Sequence, residues 1–255
     1  MPRSTSAQGS DPDLEAMLAS RTRFARLLRV ASCESTQDLA QADGDPAPCA
    51  FWAEHQTAGR GRQGRDWSDE PGLDLAVTFK VSPSLDNPIW LAAAIPLAVL
   101  QALEPRAGVE LRLKWPNDLL LGGRKISGIL VDGVPEGYLL GVGINVNRTS
   151  FPSELTETAT SLALATGVEM DRDELFLDLA VRIDDTLTRL ERNERASLEA
   201  LFADRLGLMG RQVTMVGGSA RYRGRIAALD FERITLADGS AVPLGLVQRI
   251  SAGAE

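Results

Sequence analysis

Gly59-Arg60-Gly61-Arg62-Gln63-Gly64-Arg65, followed by Asp66-Trp67-Ser68-Asp69-Glu70-Pro71-Gly72, is the stretch on which the fold reading turns. Its glycines match the spacing G-x-G-x-x-G and come after an apolar run, Cys49–Glu54, that reads as a buried strand. That spacing marks a dinucleotide fold only where it opens a helix. Here the following residues are polar, lack an apolar period and end in Pro71-Gly72, so Gly59–Gly72 is a loop and the dinucleotide reading is rejected. A P-loop is rejected as well, because no Gly-Lys-Ser/Thr is present. What remains is a loop with three glycines and three arginines in seven residues. Glycines let backbone N–H groups turn toward an anion, and arginine forks add phosphate contacts. The plain alternative is a solvated basic loop.

Outward from the loop, the chain mixes hairpins with segregated helices. Helical patterns cover Asp13–Arg23, a short segment through Ala42 capped by Ser35 or Thr36, the apolar run Pro88–Leu103, Thr160–Thr166, Asp173–Leu190 and Glu194–Leu206. Strands are expected at Arg26–Ala31, Cys49–Glu54, Leu73–Val81, Glu110–Trp115, Asp118–Leu121, Lys125–Asp132 and Tyr138–Val146. Gly141 and Gly143 in the last of these suggest close backbone approach. Residues 1–12 read as disordered. Beyond Gly207–Gly210, five short strands at Val213–Val216, Tyr222–Leu229, Ile234–Leu236, Ala241–Leu244 and Val247–Ile250 suggest a small β-barrel. The class is α+β, a mixed sheet with segregated helices plus that barrel.

Composition narrows the chemistry. The net charge is −8, and residues 151–205 hold thirteen acids against six arginines. A general nucleic-acid binder needs a broad basic face, so basic function must be local. No run approaches the ~20 apolar residues of a membrane span, and no signal peptide is seen. Two cysteines, Cys33 and Cys49, have neither metal nor disulfide-framework spacing, which fits a reducing cytoplasm. His55 is the single histidine and reads as structural. The chain has 24 arginines and three lysines, Lys80, Lys114 and Lys125, so a lysine marks a place where a compact ammonium is wanted.

Three further segments carry polar chemistry. In Leu113-Lys114-Trp115-Pro116-Asn117-Asp118 the strand stops at proline, and Asn117 and Asp118 face either a ligand or nothing more than an Asx turn. In Gly123-Arg124-Lys125-Ile126-Ser127-Gly128, Lys125 leaves a Gly-Gly turn and can project into a cleft, with Gly128 leaving room beside it. Ser35-Thr36-Gln37 offers donors and acceptors to a neutral polar ligand, and equally well a helix cap.

Together these segments resemble a known family. Glu54-His55-Gln56-Thr57-Ala58-Gly59-Arg60-Gly61-Arg62-Gln63-Gly64-Arg65-Asp66-Trp67 is similar to the signature loop of biotin–protein ligases. Lys114–Asp118, Arg124–Leu130 and Gly141-Val142-Gly143-Ile144-Asn145-Val146-Asn147 resemble its next three blocks, in order. The resemblance spans about residues 30–250. It implies an N-terminal extension (1–25), a class II aminoacyl-tRNA synthetase-like catalytic domain (26–207) and an SH3-like C-terminal barrel (208–255). It also implies ATP-dependent formation of biotinyl-5′-AMP and transfer of biotin to a lysine of a biotin carboxyl carrier protein, of acetyl-CoA carboxylase or a related carboxylase.

By the same resemblance Ser35, Thr36, Gln37, Gln56, Arg60, Gly61, Arg62, Lys125 and Gly128 would meet biotin. Arg60, Arg62, Arg65, Trp67, Asn117, Asp118, Lys125 and Asn145 would meet ATP or the adenylate, and Asp118 would meet Mg²⁺. Lys125 and Arg62 would be catalytic. The family has Ser-Thr-Asn where this chain has Ser35-Thr36-Gln37, one methylene longer. Many members carry an N-terminal DNA-binding module; here about thirty residues precede the first block. The expectation is therefore the short class, cytoplasmic, with no DNA or membrane partner and no repressor function. The rivals are a lipoate–protein ligase, which shares the fold, and a non-catalytic nucleic-acid binder using Gly59–Arg65 with Arg221-Tyr222-Arg223-Gly224-Arg225. The acidic whole argues against the second.

Overall fold

Along Leu75–Val81 the residues alternate between two buried environments. Leu75, Val77, Phe79 and Val81 enter the main apolar core, while Ala76, Thr78 and Lys80 are buried on the opposite face. A strand covered on both faces lies in the middle of a layered structure. The computed structural model, which describes residues 11–253, shows those layers. The expected disorder of residues 1–12 falls mostly outside the described residues; Asp11 caps the first helix, α1 (Pro12–Arg21).

The main sheet has seven strands: β1 (Arg26–Val30), β2 (Cys49–Ala53), β3 (Leu75–Val81), β4 (Arg112–Lys114), β5 (Asp118–Leu121), β6 (Arg124–Val134) and β7 (Gly137–Ile144). Their order is β1-β2-β3-β7-β6-β5-β4. β1 pairs parallel to β2 and every other pairing is antiparallel, so the sheet is mixed. One face packs on α3 (Ile89–Ala107), α5 (Arg172–Glu191) and α6 (Ala196–Leu206). The other face carries the short α2 (Thr36–Ala42), over a small cluster of Ala40, Cys49, Phe51 and Leu139. α4 (Leu162–Thr166) completes the helices. α3 is long and apolar enough to cross a membrane by composition, but 67% of its most apolar window is buried inside this fold.

α3 runs beyond the expected Leu103, through Pro105, and stops where Gly108 takes a left-handed conformation. The expected strand at Glu110 shrinks to Arg112–Lys114, because the Leu111 N–H is taken by the Glu104 carboxylate, 2.8 Å away.

The C-terminal strands form a second antiparallel sheet: β8 (Gln212–Gly217), β9 (Ala220–Leu229), β10 (Arg233–Leu236), β11 (Ala241–Pro243) and β12 (Arg249–Ala252). Its order is β11-β10-β9-β8-β12, with β11 and β12 at the edges. The last strand starts later than expected because Leu244–Leu246 is a helical turn and Val247 serves another purpose. The Val247 carbonyl accepts the Trp115 indole N–H at 2.6 Å, and Trp90 likewise donates to Glu232 at 3.2 Å, tying the C-terminal unit to the end of β4 and to α3.

Candidate functional site

On the α2 side of the main sheet, a cavity of about 110 Å³ opens between β3, β7 and β6 below and the loop after β2 above. Its floor exists because three strand positions lack side chains. Gly128 on β6 pairs with Gly143 on β7, and Leu130 pairs with Gly141. A Cβ at Gly143 would collide with the Trp67 indole, one at Gly128 would lie 3.0 Å from it, and one at Gly141 would lie 2.8 Å from the Gln37 amide. Close approach, expected from the glycines of β7, is what the structure shows.

The loop over this floor is held by its own backbone. Trp67 N–H donates to the Gly59 carbonyl at 2.8 Å and Gly61 N–H to that of Arg65 at 2.7 Å. Between them Arg62–Gly64 makes a single 3₁₀ turn with Gln63 left-handed at φ 57°, a feature absent from the loop reading. Gly59 is required where it stands, since a Cβ there would press into the Trp67 carbonyl. Arg60 reaches Asp38 of α2 at 2.8 Å. Arg62 is half-buried, with burial and its neighbour Arg65 pulling its pKa below the ordinary value while Asp118 opposes them. A half-buried guanidinium next to a second cation is electrostatically poised for an anion.

One end of the cavity is a neutral polar network. Ser35 Oγ caps α2 by accepting from Gln37 N–H at 3.3 Å, so the cap reading and the lining position coincide. The Gln56 side-chain carbonyl accepts from Thr36 N–H at 2.9 Å and Thr36 Oγ1 at 3.1 Å, and Thr78 donates to Thr36 at 2.9 Å. The Gln37 amide donates to the Leu130 carbonyl at 3.2 Å. A carbonyl can only accept, so this contact fixes which end of the amide faces it. The Gln37 Oε1 is thereby left buried with no protein partner, and the Trp67 Nε1 is in the same state. Both residues line the cavity, and orphaned buried polar atoms ask for a ligand.

The opposite end is charged. Register between β5 and β6 slips so that Leu119 faces Ser127 and Leu120 faces Lys125, leaving Ile126 as a bulge. Bulges re-aim neighbouring side chains. Ile126 enters the core, while Lys125 Nζ meets Asp118 Oδ1 at 2.6 Å and lies 5.5 Å from the Trp67 ring centre. Asn117 lines the wall beside this pair. Among the described residues no group of three or more His, Cys, Asp or Glu side chains is placed to hold a metal.

Ser35, Thr36, Gln37, Gln56, Arg60, Gly61, Arg62, Arg65, Trp67, Asn117, Asp118, Lys125 and Gly128 thus all come to one cavity. Asn145 does not line it. Its amide donates to the Thr160 carbonyl at 2.9 Å and the Lys125 carbonyl at 3.4 Å, which buttresses the strand carrying Lys125. Of the three lysines, Lys80 is buried against the Asp43 carbonyl at 2.6 Å, but Lys114 is exposed on edge strand β4, so scarcity marked only two special sites. His55 Nδ1 lies 3.1 Å from the buried Asp69 carboxylate, a structural pairing. Burial lifts the Cys33 thiol to about 11 and also raises that of Cys49, so neither offers a thiolate. Thr78 and Asp69 were not anticipated, because a threonine within a strand and an aspartate within a polar loop carry no local signal.

The sequence profile of the Biotin/lipoate A/B protein ligase family matches residues 34–148. A bifunctional ligase/repressor BirA from Bacillus spizizenii is 36% identical over 152 residues, 56% of this chain and 47% of that protein. A biotin–[acetyl-CoA-carboxylase] ligase from Paracoccus denitrificans is 39% identical over 142 residues, 50% of this chain and 57% of that one. The chain spans about half the length of these curated relatives. Among solved structures, the biotin protein ligase from Aquifex aeolicus in complex with biotin and ATP superposes with a TM-score of 0.79 at 27% identity, over 91% of this chain and 100% of that one.

Proposed function

We propose that this chain, whose residues 34–148 match the biotin/lipoate A/B protein ligase family, activates biotin with ATP and transfers it to a lysine of a carboxyl carrier protein. The observation that carries this reading is the two-ended cavity. A neutral polar network sits at one end, Lys125 with Arg62 and Arg65 at the other, and a glycine floor runs between them. We assign residues 26–207 to the catalytic unit and 208–255 to an accessory unit.

In the first step a biotin carboxylate oxygen attacks the α-phosphorus of ATP, and the bond to the β,γ-diphosphate breaks. The products are biotinyl-5′-AMP and pyrophosphate. The substrate supplies the nucleophile, so this chain's task is to align reactants and meet developing negative charge. Lys125, steered by Asp118, holds the carboxylate and α-phosphate together; Arg62, with Arg60 and Arg65, covers the phosphates. Trp67 packs against the adenylate. Mg²⁺ would arrive with the phosphates and use Asp118 and Asn117, a small donor set suited to an ion that keeps most of its waters. In the second step the carrier lysine's amine attacks the acyl carbon, AMP leaves, and the amine's proton is released. The loop 59–67 excludes water from the anhydride meanwhile.

The test is incubation with ATP, Mg²⁺, biotin and a biotin carboxyl carrier domain of acetyl-CoA carboxylase, read by the carrier's mass. One added biotinyl group is expected; no change with biotin but addition with lipoate would replace this reading by lipoate ligation. Gln37 separates the two at residue level. Its orphaned Oε1 suits the ring N–H of biotin, which the dithiolane of lipoate lacks. Gln37→Leu should weaken biotin binding by ~1–2 kcal/mol, the cost of one lost buried hydrogen bond, as measured by calorimetry.

A further inference from the structure

The loop that forms the cavity roof returns to the sheet through Ser68–Asp74, and this limb is held by a buried ion pair that no family block anticipated. Asp74 and Arg148 side chains are 1% and 4% exposed, with Arg148 Nε 2.6 Å from Asp74 Oδ2. The Asp74 carboxylate also accepts from Glu70 N–H at 2.8 Å, closing the turn on the limb, and from Val146 N–H at 3.2 Å, in the block after β7. Arg148 donates to the Ser68 carbonyl at 3.1 Å, one residue from Trp67. Its own backbone carbonyl is fixed by Ser161 Oγ at 2.5 Å. The pair therefore joins the foot of the loop to the segment leaving β7, whose Gly143 carries the Trp67 indole.

We propose that Asp74 and Arg148 are positioning residues that set Trp67 on the Gly128–Gly143 floor, and through it the closed form of the loop over the reaction. Two buried charges are costly unless paired, and such pairs hold one arrangement against alternatives better than they add stability. A guanidinium can reach both the Asp74 carboxylate and the Ser68 carbonyl at once, whereas an ammonium is a single point charge. The inference rests on the functional reading for its consequence, but its geometry can be tested without activity.

The experiment is a double-mutant cycle in the full chain between Arg148→Met and Trp67→Ala, with two readouts. The first is trypsin cleavage after Arg60, Arg62 or Arg65 in ligand-free protein. The second is KM against kcat for adenylate formation. Arg148→Met should speed cleavage and raise both substrate KM values about tenfold, kcat falling less, within the range for a misplaced positioning group. In the Trp67→Ala background the same change should add little. Additive effects, or unchanged cleavage and KM, would overturn the proposal. Should Arg148→Met fail to fold, Asp74→Leu with Arg148→Met removes both charges together; a folded double variant with wild-type cleavage and KM would overturn it equally. A wild-type chain that makes no adenylate would sink the functional reading and leave the cleavage result to decide this one.

Discussion

Two stretches of this chain have nearly the same composition and opposite fates. Gly59–Arg65 and Arg221–Arg225 are each built from arginine and glycine, and each reads as basic. In the second, the backbone is consumed by strand pairing: Arg221 lies opposite Val216, Arg223 opposite Thr214 and Arg225 opposite Gln212. Strand alternation then sends all three arginines outward to solvent. In the first, the backbone closes on itself, α2 and the limb Ser68–Asp74 clamp it, and Arg62 is turned half-buried toward a cavity. A cation becomes useful when the fold denies it water and gives it an opposing wall, and composition records neither condition.

The difference can be broken at the wall. Lys125→Ala removes the cation facing the loop and should slow adenylate formation by ~2–4 kcal/mol in barrier, the range for losing one preorganised charge donor. Biotin-dependent ATP–pyrophosphate exchange measures it, and an unchanged rate would remove Lys125 from the chemistry.

The clamp's contribution to stability depends on pH. Burial lifts the Asp74 carboxyl from 3.8 to about 6, against the pull of Arg148 and two backbone N–H groups. A carboxyl whose folded pKa is raised binds protons more readily in the native state. Its contribution to stability is therefore greatest near pH 4, declines as pH rises toward 6, and is level above that. The span is at most about 3 kcal/mol for a shift of this size. Urea unfolding between pH 4 and 7, wild type minus Asp74→Asn, should show that decline; a flat difference would mean Asp74 titrates normally.

The floor gives a smaller lever. Gly143→Ala places a methyl into the Trp67 indole, which must then shift off its seat. Overpacking of this kind costs ~1–3 kcal/mol, and here it should fall on adenylate affinity more than on melting temperature. Unchanged binding of a non-hydrolysable biotinyl-adenylate analogue would show that the indole has no part in the site.

Much of this was legible in the sequence because it is local. Apolar periodicity marked most of the elements, the polar flank of Gly59–Arg65 excluded a helix, and the glycines of β7 announced a close approach. What was not legible is held together across long separations. Asp74 meets Arg148, Asp69 meets Gln56, and Thr78 meets Thr36, each through a side chain that is ordinary in its own neighbourhood. Asn145 shows the reverse: its block was recognised, but the side chain supports the Lys125 strand instead of facing the cavity. The final strand slipped for a similar reason, since the demand of Trp115 on the Val247 carbonyl comes from a residue 132 positions away, just past β4.

The comparison is sharpest where the smallest effect is expected. Arg223 sits mid-strand on β9, exposed, opposite Thr214, and shares with Arg62 a short arginine- and glycine-containing stretch. Its charge is already hydrated, so removing it strips no buried partner and opens no cavity. Arg223→Ser should leave stability within about 0.5 kcal/mol, the usual range for surface changes, and leave adenylate formation unchanged. The matched change Arg62→Ser should release biotinyl-AMP early, visible as AMP and free biotin formed without carrier. If instead Arg223→Ser slowed biotin transfer to the carrier while sparing adenylate formation, the outward arginines of β9 would be a contact for the carrier. Burial would then no longer be what separates the two stretches; they would serve successive steps of one reaction.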